Sequence, residues 1–271
     1  MAERAGTEAT LERPESGSPW QDRLVRLFPY AIATAAILVG WQIAALFLPS
    51  YLIPPPGRVI SRLGRELGRE AFLITIGRSF LRLSIGFVLA SVLGLVIGLV
   101  SGVWPFFRRT VRALVSILQS VPPIAWVPLF IILLGFGDYP IILVIIIAAF
   151  FPMTVSVMNA VEQVERLHVD VARLLGASRT QLITKVYAPE VTPAIVTGAQ
   201  VGFGNAWRSL IAAEMVGGVN VGLGWFINFA GEIADMTAVL AGIFVIGLFS
   251  ALLDGYVLER MKRRLLRWKY L

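Results

Sequence analysis

Five stretches of this chain pass without a single Asp, Glu, Lys or Arg: residues 27–57, 83–107, 113–137, 139–161 and 236–253. A helix needs about 20 mostly apolar residues to cross the hydrocarbon core of a bilayer. Four of the runs exceed that, and the fifth reaches it with its flanks. A sixth apolar stretch, about 192–213, is interrupted only by Arg208. Backbone at that depth has no water to bond to, so open sheets are excluded and helices remain. The pattern predicts an all-α, polytopic membrane protein with six transmembrane helices.

Composition agrees. The chain is 57% hydrophobic and 15% charged, against roughly 25% charged in soluble domains. It has no cysteine and one histidine, His168, which removes disulfides, thiolate chemistry and any His/Cys metal centre. No metal site and no bound cofactor are expected. The formal net charge of +7 fits cytoplasmic loops rich in Lys and Arg better than nucleic-acid binding, for which no soluble basic domain is present. Residues 1–26 read as a disordered cytosolic tail without the pattern of a signal peptide. Residues 27–258 form the membrane domain with a polar loop at 159–190, and 259–271 form a basic cytosolic tail.

Span one, about 28–48, stops at Pro49 and the Pro54-Pro55-Pro56-Gly57 run. Val59, Ile60, Leu63 and Leu67 then oppose Arg58, Arg62, Arg65 and Arg69, the pattern of an interfacial amphipathic helix. Span two, about 80–103, carries a small residue at every fourth position: Gly86, Ala90, Gly94, Gly98 and Gly102. On a helix these form a groove that admits close packing. Span three, about 111–134, contains Gln119 and Ser120 and is broken by Pro122, Pro123 and Pro128. Such irregular backbone is tolerated where it is packed in protein or lines a cavity, which makes Gln119 a candidate pathway residue. Span four, about 139–158, holds Pro152, a predicted kink. Span five covers 192–213. A glycine-rich linker from Gly217 to Gly224 and an apolar segment at 225–229 precede span six, about 236–257. The Arg108-Arg109-Arg112 loop, the 159–190 loop and the basic tail all fall on one side. The positive-inside rule makes that side the cytoplasm, with both termini inside. The arginines of 58–82 then sit on the other side, against the rule.

The 159–190 loop carries two short helical patterns. Val164, Leu167, Val171, Leu174 and Leu175 recur at helical spacing. Gly176 suits a left-handed cap. Ser178 with Gln181 makes a capping box, and Pro189 is expected to end the second helix. The apolar face fits either a partner's groove or the chain's own spans.

Asp170-Val171-Ala172, three residues, Gly176, nine residues, then Val186-Tyr187-Ala188-Pro189 resembles the signature loop of binding-protein-dependent ABC transporter permeases. That signature reads Glu-Ala-Ala, three residues, Gly, nine residues, Ile-x-Leu-Pro. The spacing matches throughout, and Ala172, Gly176 and Pro189 are identical. The likeness extends over about 28–268, through Arg82, Ser120-Val121-Pro122, Trp126-Val127-Pro128, Ala206-Trp207-Arg208 and Ala213-Glu214-Met215. Within the family it is nearest to permeases for nitrate, sulfonates and taurine. The resemblance implies a type I importer fold in a bacterial inner membrane and a second permease copy. It also implies a separate ATP-binding subunit that uses ATP and Mg, and an external substrate-binding protein. It implies that Asp170, Val171, Ala172, Gly176, Ala177, Ser178, Val186 and Pro189 form the contact with the ATPase. The solute implied is small and anionic. Relatives that move other small molecules, such as a vitamin precursor, keep a different solute open, and a secondary transporter is a further alternative. No Gly-x-x-x-x-Gly-Lys-Ser/Thr occurs in the chain, so it has no P-loop of its own, and no catalytic constellation is present.

Two charges interrupt span five: Arg208 within it and Glu214 at its end. Intramembrane charge normally faces a bundle interior or cavity. Both are candidates for the translocation pathway. A structural partner on another span, or snorkelling to the interface, is the other reading.

Overall fold

The computed structural model describes residues 19–253. The described residues contain helices and connections and no strand. The chain divides into two units, one up to Pro56 and one from Gly57. The first unit is a helix, α1 (Pro19–Phe47), followed by a turn in which the Trp41 indole Nε1 donates to the Pro54 carbonyl at 3.0 Å. Residues 19–26, expected in the disordered tail, are therefore helical.

The second unit begins with α2 (Pro56–Leu67) and α3 (Glu70–Val103). Next comes the broken pair α4 (Pro105–Leu118) and α5 (Val127–Leu134), joined through a 3-10 turn at Pro123–Trp126 and bent by 87°. Of the three prolines read from the sequence, Pro122 and Pro123 sit in this break and Pro128 in the first turn of α5. α6 (Asp138–Gln163) runs through Pro152 as one continuous helix. α7 (Arg166–Leu174), α8 (Arg179–Gln181), a π-helical stretch (Leu182–Tyr187) and α9 (Ala188–Val216) follow, then α10 (Leu223–Glu232) and α11 (Met236–Leu252). By length and composition, α3 and α6 are each able to cross a membrane, and the bent pair is either a third, broken span or a re-entrant loop. The end of span six, with Asp254, and the basic tail lie outside the described residues.

α6 is the centre of the bundle, with α3 on one side and α9 on the other. The small-residue stripe sets the first contact. A Cβ at Gly86 would lie 2.6 Å from Ile145, one at Gly94 2.9 Å from Met153, and one at Gly98 2.6 Å from Val157. Ala90 is fully buried in the same row. The surroundings of Gly102 lie outside the described residues. The offset between partners is constant at 59 residues, so α3 and α6 run parallel. On the other side Gly198 faces Ser156, Gly202 faces Ala149 and Gly217 faces Ile141, so α9 runs antiparallel. Close approach of this kind substitutes packing for the hydrophobic effect, which lipid does not supply. Gly98→Leu is accordingly expected to force α3 and α6 apart and cost about 1–3 kcal/mol or more. Thermal unfolding of the purified chain in micelles measures it, and an unchanged midpoint would make the stripe incidental.

The packing fixes which loops share an end. α3 and α6 finish, and α9 starts, at one end, where Arg108 and Arg112 both pair with Glu162. α3 and α6 start, and α9 finishes, toward the other. The arginines that defied the charge rule lie on that side, and three of them are neutralised. Arg62 sits between Glu66 and Asp235, Arg69 pairs with Glu66, and Arg82 pairs with Asp138 and Glu214.

Pro189 does not end its helix. α8, the π-helical stretch and α9 form one unbroken helical run, with Pro189 just past the π turn. Proline lacks the N–H and crowds the carbonyl four residues back. The wider π turn relieves that crowding, and the Ala188 N–H donates five residues back to Ile183.

Candidate functional site

The hinge between α7 and α8 is built by two caps. Gly176 has φ +81°, the left-handed conformation in which glycine carries no Cβ penalty. Its N–H donates to the Arg173 carbonyl at 2.9 Å, and the Ala177 N–H reaches back to Ala172 at 3.0 Å, a Schellman-type closure. Ser178 Oγ accepts from the Gln181 N–H while Gln181 Oε1 accepts from the Ser178 N–H, the reciprocal capping box. At the root of the loop His168 Nδ1 meets the Glu190 carboxylate.

Val169 (7% exposed) and Leu182 pack inward. Leu167, Val171, Leu174 and Leu175 form a stripe at helical spacing that points outward, with Leu174 at 87% and Leu175 at 83% exposed. Of the two readings the sequence leaves for this apolar face, these four residues do not pack on the spans among the described residues. Asp170 and Arg173 stand exposed beside them, their charged atoms 3.7 Å apart. Behind them a recess of about 490 Å³ is lined by Arg108, Glu162, Arg166, Asp170, Arg173 and Tyr187.

A second feature is a cleft of about 420 Å³ between the α4–α5 break, α6 and α9, lined in part by Gln119, Asn205, Arg208 and Ser209. Arg208 Nη2 donates to Asn205 Oδ1 at 2.9 Å. The structure thus brings Gln119 and Arg208 together.

Glu214 is elsewhere. Its side chain is fully buried, and Arg82 Nη1 donates to Glu214 Oε1 at 2.6 Å. Ser79 Oγ lies 2.8 Å from both carboxylate oxygens and accepts from the Leu223 N–H. The Gly224 N–H donates to Oε2 at 2.9 Å. Arg82 also reaches Asp138 and the Val221 carbonyl. Gly222 admits the carboxylate, because a Cβ there would stand 2.5 Å from Glu214 Cδ. Every group in this clasp is satisfied, which is the condition for keeping an ion pair out of water. Arg208 is the nearest cation to Glu214 in the sequence, whereas its partner in the fold lies 132 residues away. Nothing local in the sequence signals that pairing.

Comparison with known proteins follows the same lines. The family model for the binding-protein-dependent transport system inner membrane component matches residues 90–263. The taurine transport system permease protein TauC of Escherichia coli (strain K12) is 34% identical over 92% of this chain and 93% of its own length. The putative aliphatic sulfonates transport permease protein SsuC of Bacillus subtilis (strain 168) is 33% identical, covering 87% and 85%. The nitrate import permease protein NrtB of Synechocystis sp. is 29% identical, covering 84% and 85%. Among solved structures, an inward-facing conformation of the MetNI methionine ABC transporter aligns with a TM-score of 0.58 at 22% identity. That alignment covers 71% of this chain and 93% of the other, and it supports the type I fold. Relatives of this kind are transport components that work with a partner ATPase and a substrate-binding protein, and they are not enzymes. The chain belongs to the family of binding-protein-dependent transport system inner membrane components and is an integral inner-membrane permease of an ABC importer.

Proposed function

We propose that this permease imports a small anion through six spans, with the Arg108–Arg112 end in the cytoplasm, both termini inside and a second copy completing the pathway. The α7–α8 hinge seats on the ATPase. The observation that carries this is the outward stripe of Leu167, Val171, Leu174 and Leu175, held by two caps at the end where Arg108 and Arg112 cluster. An amphipathic helix with an open apolar face enters a partner's groove through anchors at such spacing. Asp170, Ala172, Gly176, Ala177, Ser178, Val186 and Pro189 shape and flank that seat. Gln119 and Arg208 line the solute path, and Glu214 holds the outer ends of the helices together.

The relatives named for taurine, sulfonates and nitrate support a small anionic solute, and the guanidinium in the cleft suits one. The test is uptake into proteoliposomes holding this chain with its ATPase and binding protein. Uptake is expected only with external binding protein and internal ATP. Ion-gradient-driven uptake by this chain alone would establish a secondary transporter instead.

A further inference from the structure

Arg82 and Arg208 lie within α3 and α9, and they differ in one respect. Arg82 is enclosed by Glu214 and Asp138. Arg208 has no carboxylate partner among the described residues and donates to the Asn205 amide. Arg208 is exposed, and on the six-span reading α9 crosses the membrane, where a guanidinium without a counter-ion is costly; an anion entering the cleft removes that cost. The polar lining beside Arg208 is uncharged: Gln119, Asn205 and Ser209. The rest of the lining is apolar and includes Ile147, Phe151 and Val201. A ligand that satisfies both kinds of lining has an oxoanion head, which the planar guanidinium receives through two donors, and an uncharged carbon tail. An ammonium on that tail would find no acid in the lining and would sit close to Arg208.

Gln119 also lines a second cleft of about 260 Å³, with Arg112 and Ser116. There the cation is already compensated, because Arg112 Nη2 is 2.9 Å from Glu162. An anion is therefore held more firmly beside Arg208 than beside Arg112. We propose that the Arg208 cleft captures a small organic oxoanion with an apolar tail and no ammonium, and that the Arg112 cleft, sharing Gln119, is the release site that follows it. This rests on the reading of Arg208 and Gln119 as pathway residues and adds the ligand class and the order of the sites.

The chain has no cysteine, so Ser209→Cys and Ser116→Cys each place a single thiol in the full-length protein. Purified in micelles, each variant is treated with a methanethiosulfonate carrying either a sulfonatoethyl or a trimethylammonioethyl group. Each rate is normalised to that of a free thiol. The sulfonatoethyl reagent is ethanesulfonate with a thiol-reactive arm, so it probes the proposed ligand directly. At Ser209→Cys the anionic reagent is expected to react about tenfold faster than the cationic one, as a focused local potential allows. Ethanesulfonate should protect where taurine, with its ammonium, does not. Adding Arg208→Gln should bring the ratio to about one, whereas Arg208→Lys, which keeps the charge, should retain a preference. At Ser116→Cys the ratio should be smaller and should rise when Glu162→Gln is added.

A ratio near one at Ser209→Cys, a ratio indifferent to Arg208→Gln, or equal protection by taurine would overturn the capture site. A ratio at Ser116→Cys equal to that at Ser209→Cys, or unmoved by Glu162→Gln, would overturn the release site. Labelling needs no ATPase, so absent ATP-driven uptake with the expected labelling would count against the importer reading alone. Intact uptake with failed labelling would count against this proposal alone.

Discussion

Replacing Glu214 with alanine is expected to destabilise the permease by about 3–5 kcal/mol, the range found when one partner of a buried ion pair is removed. Three losses coincide. Arg82 keeps Asp138, which is partly exposed, but loses the carboxylate 2.6 Å away in the interior. Ser79 Oγ and the Gly224 N–H lose their acceptor, and buried donors left unpaired carry their full desolvation penalty. The vacated volume also lies where α3, α9 and the 217–224 loop meet. Thermal unfolding in micelles reads the effect, together with the fraction of monodisperse protein recovered. Arg82→Met with Glu214→Leu should recover much of the loss, because a buried ion pair replaced by apolar side chains of similar volume is often neutral. If Glu214→Ala melts like the parent, the clasp does not hold the helices.

Gly176→Pro is expected to abolish ATP-driven uptake while leaving the membrane bundle folded. Proline's φ is held near −65°, whereas Gly176 requires +81°. The substitution also removes the N–H that closes the turn on Arg173. α7 then leaves the hinge in another direction and carries the Leu174 and Leu175 anchors with it. Co-purification with the ATPase should be lost in the same variant, while the melting of the spans stays close to the parent. Asp170→Arg should weaken docking without touching the turn. Ser178→Ala removes only the capping-box acceptor, at about 1 kcal/mol, and should reduce uptake far less. Retained ATPase binding in Gly176→Pro and Asp170→Arg would place the coupling contact elsewhere.

Features governed by local chemistry are legible in the residues themselves. Gly176, Ser178 and Gln181 announce their caps, because a left-handed glycine and a reciprocal side-chain cap involve residues within a few positions of each other. The three prolines announce the α4–α5 break for the same reason. The stripe from Gly86 to Gly98 announces a close contact, but not that α6 fills it, because a groove on one helix does not name its occupant. Arg82 with Glu214 is illegible as a pair, since 132 residues separate them and only the antiparallel return of α9 brings them together. Pro189 points the wrong way, because proline usually terminates helices. A π turn that absorbs its missing donor leaves no local sequence pattern. The neutralised arginines at the end where α3 begins likewise require tertiary placement, with Asp235 and Asp138 supplied by distant segments.

The unbroken run from Arg179 through the π turn to Val216 is a lever about 55 Å long at 1.5 Å per residue. One tip is the hinge segment, the shaft carries Arg208 and the other tip carries Glu214. If the hinge seats on the ATPase as proposed, a nucleotide-driven tug there tilts the guanidinium and strains the far anchorage in one stroke. On that proposal energy input and solute handling are geared together by a single piece of backbone, with the π turn as its pliable elbow.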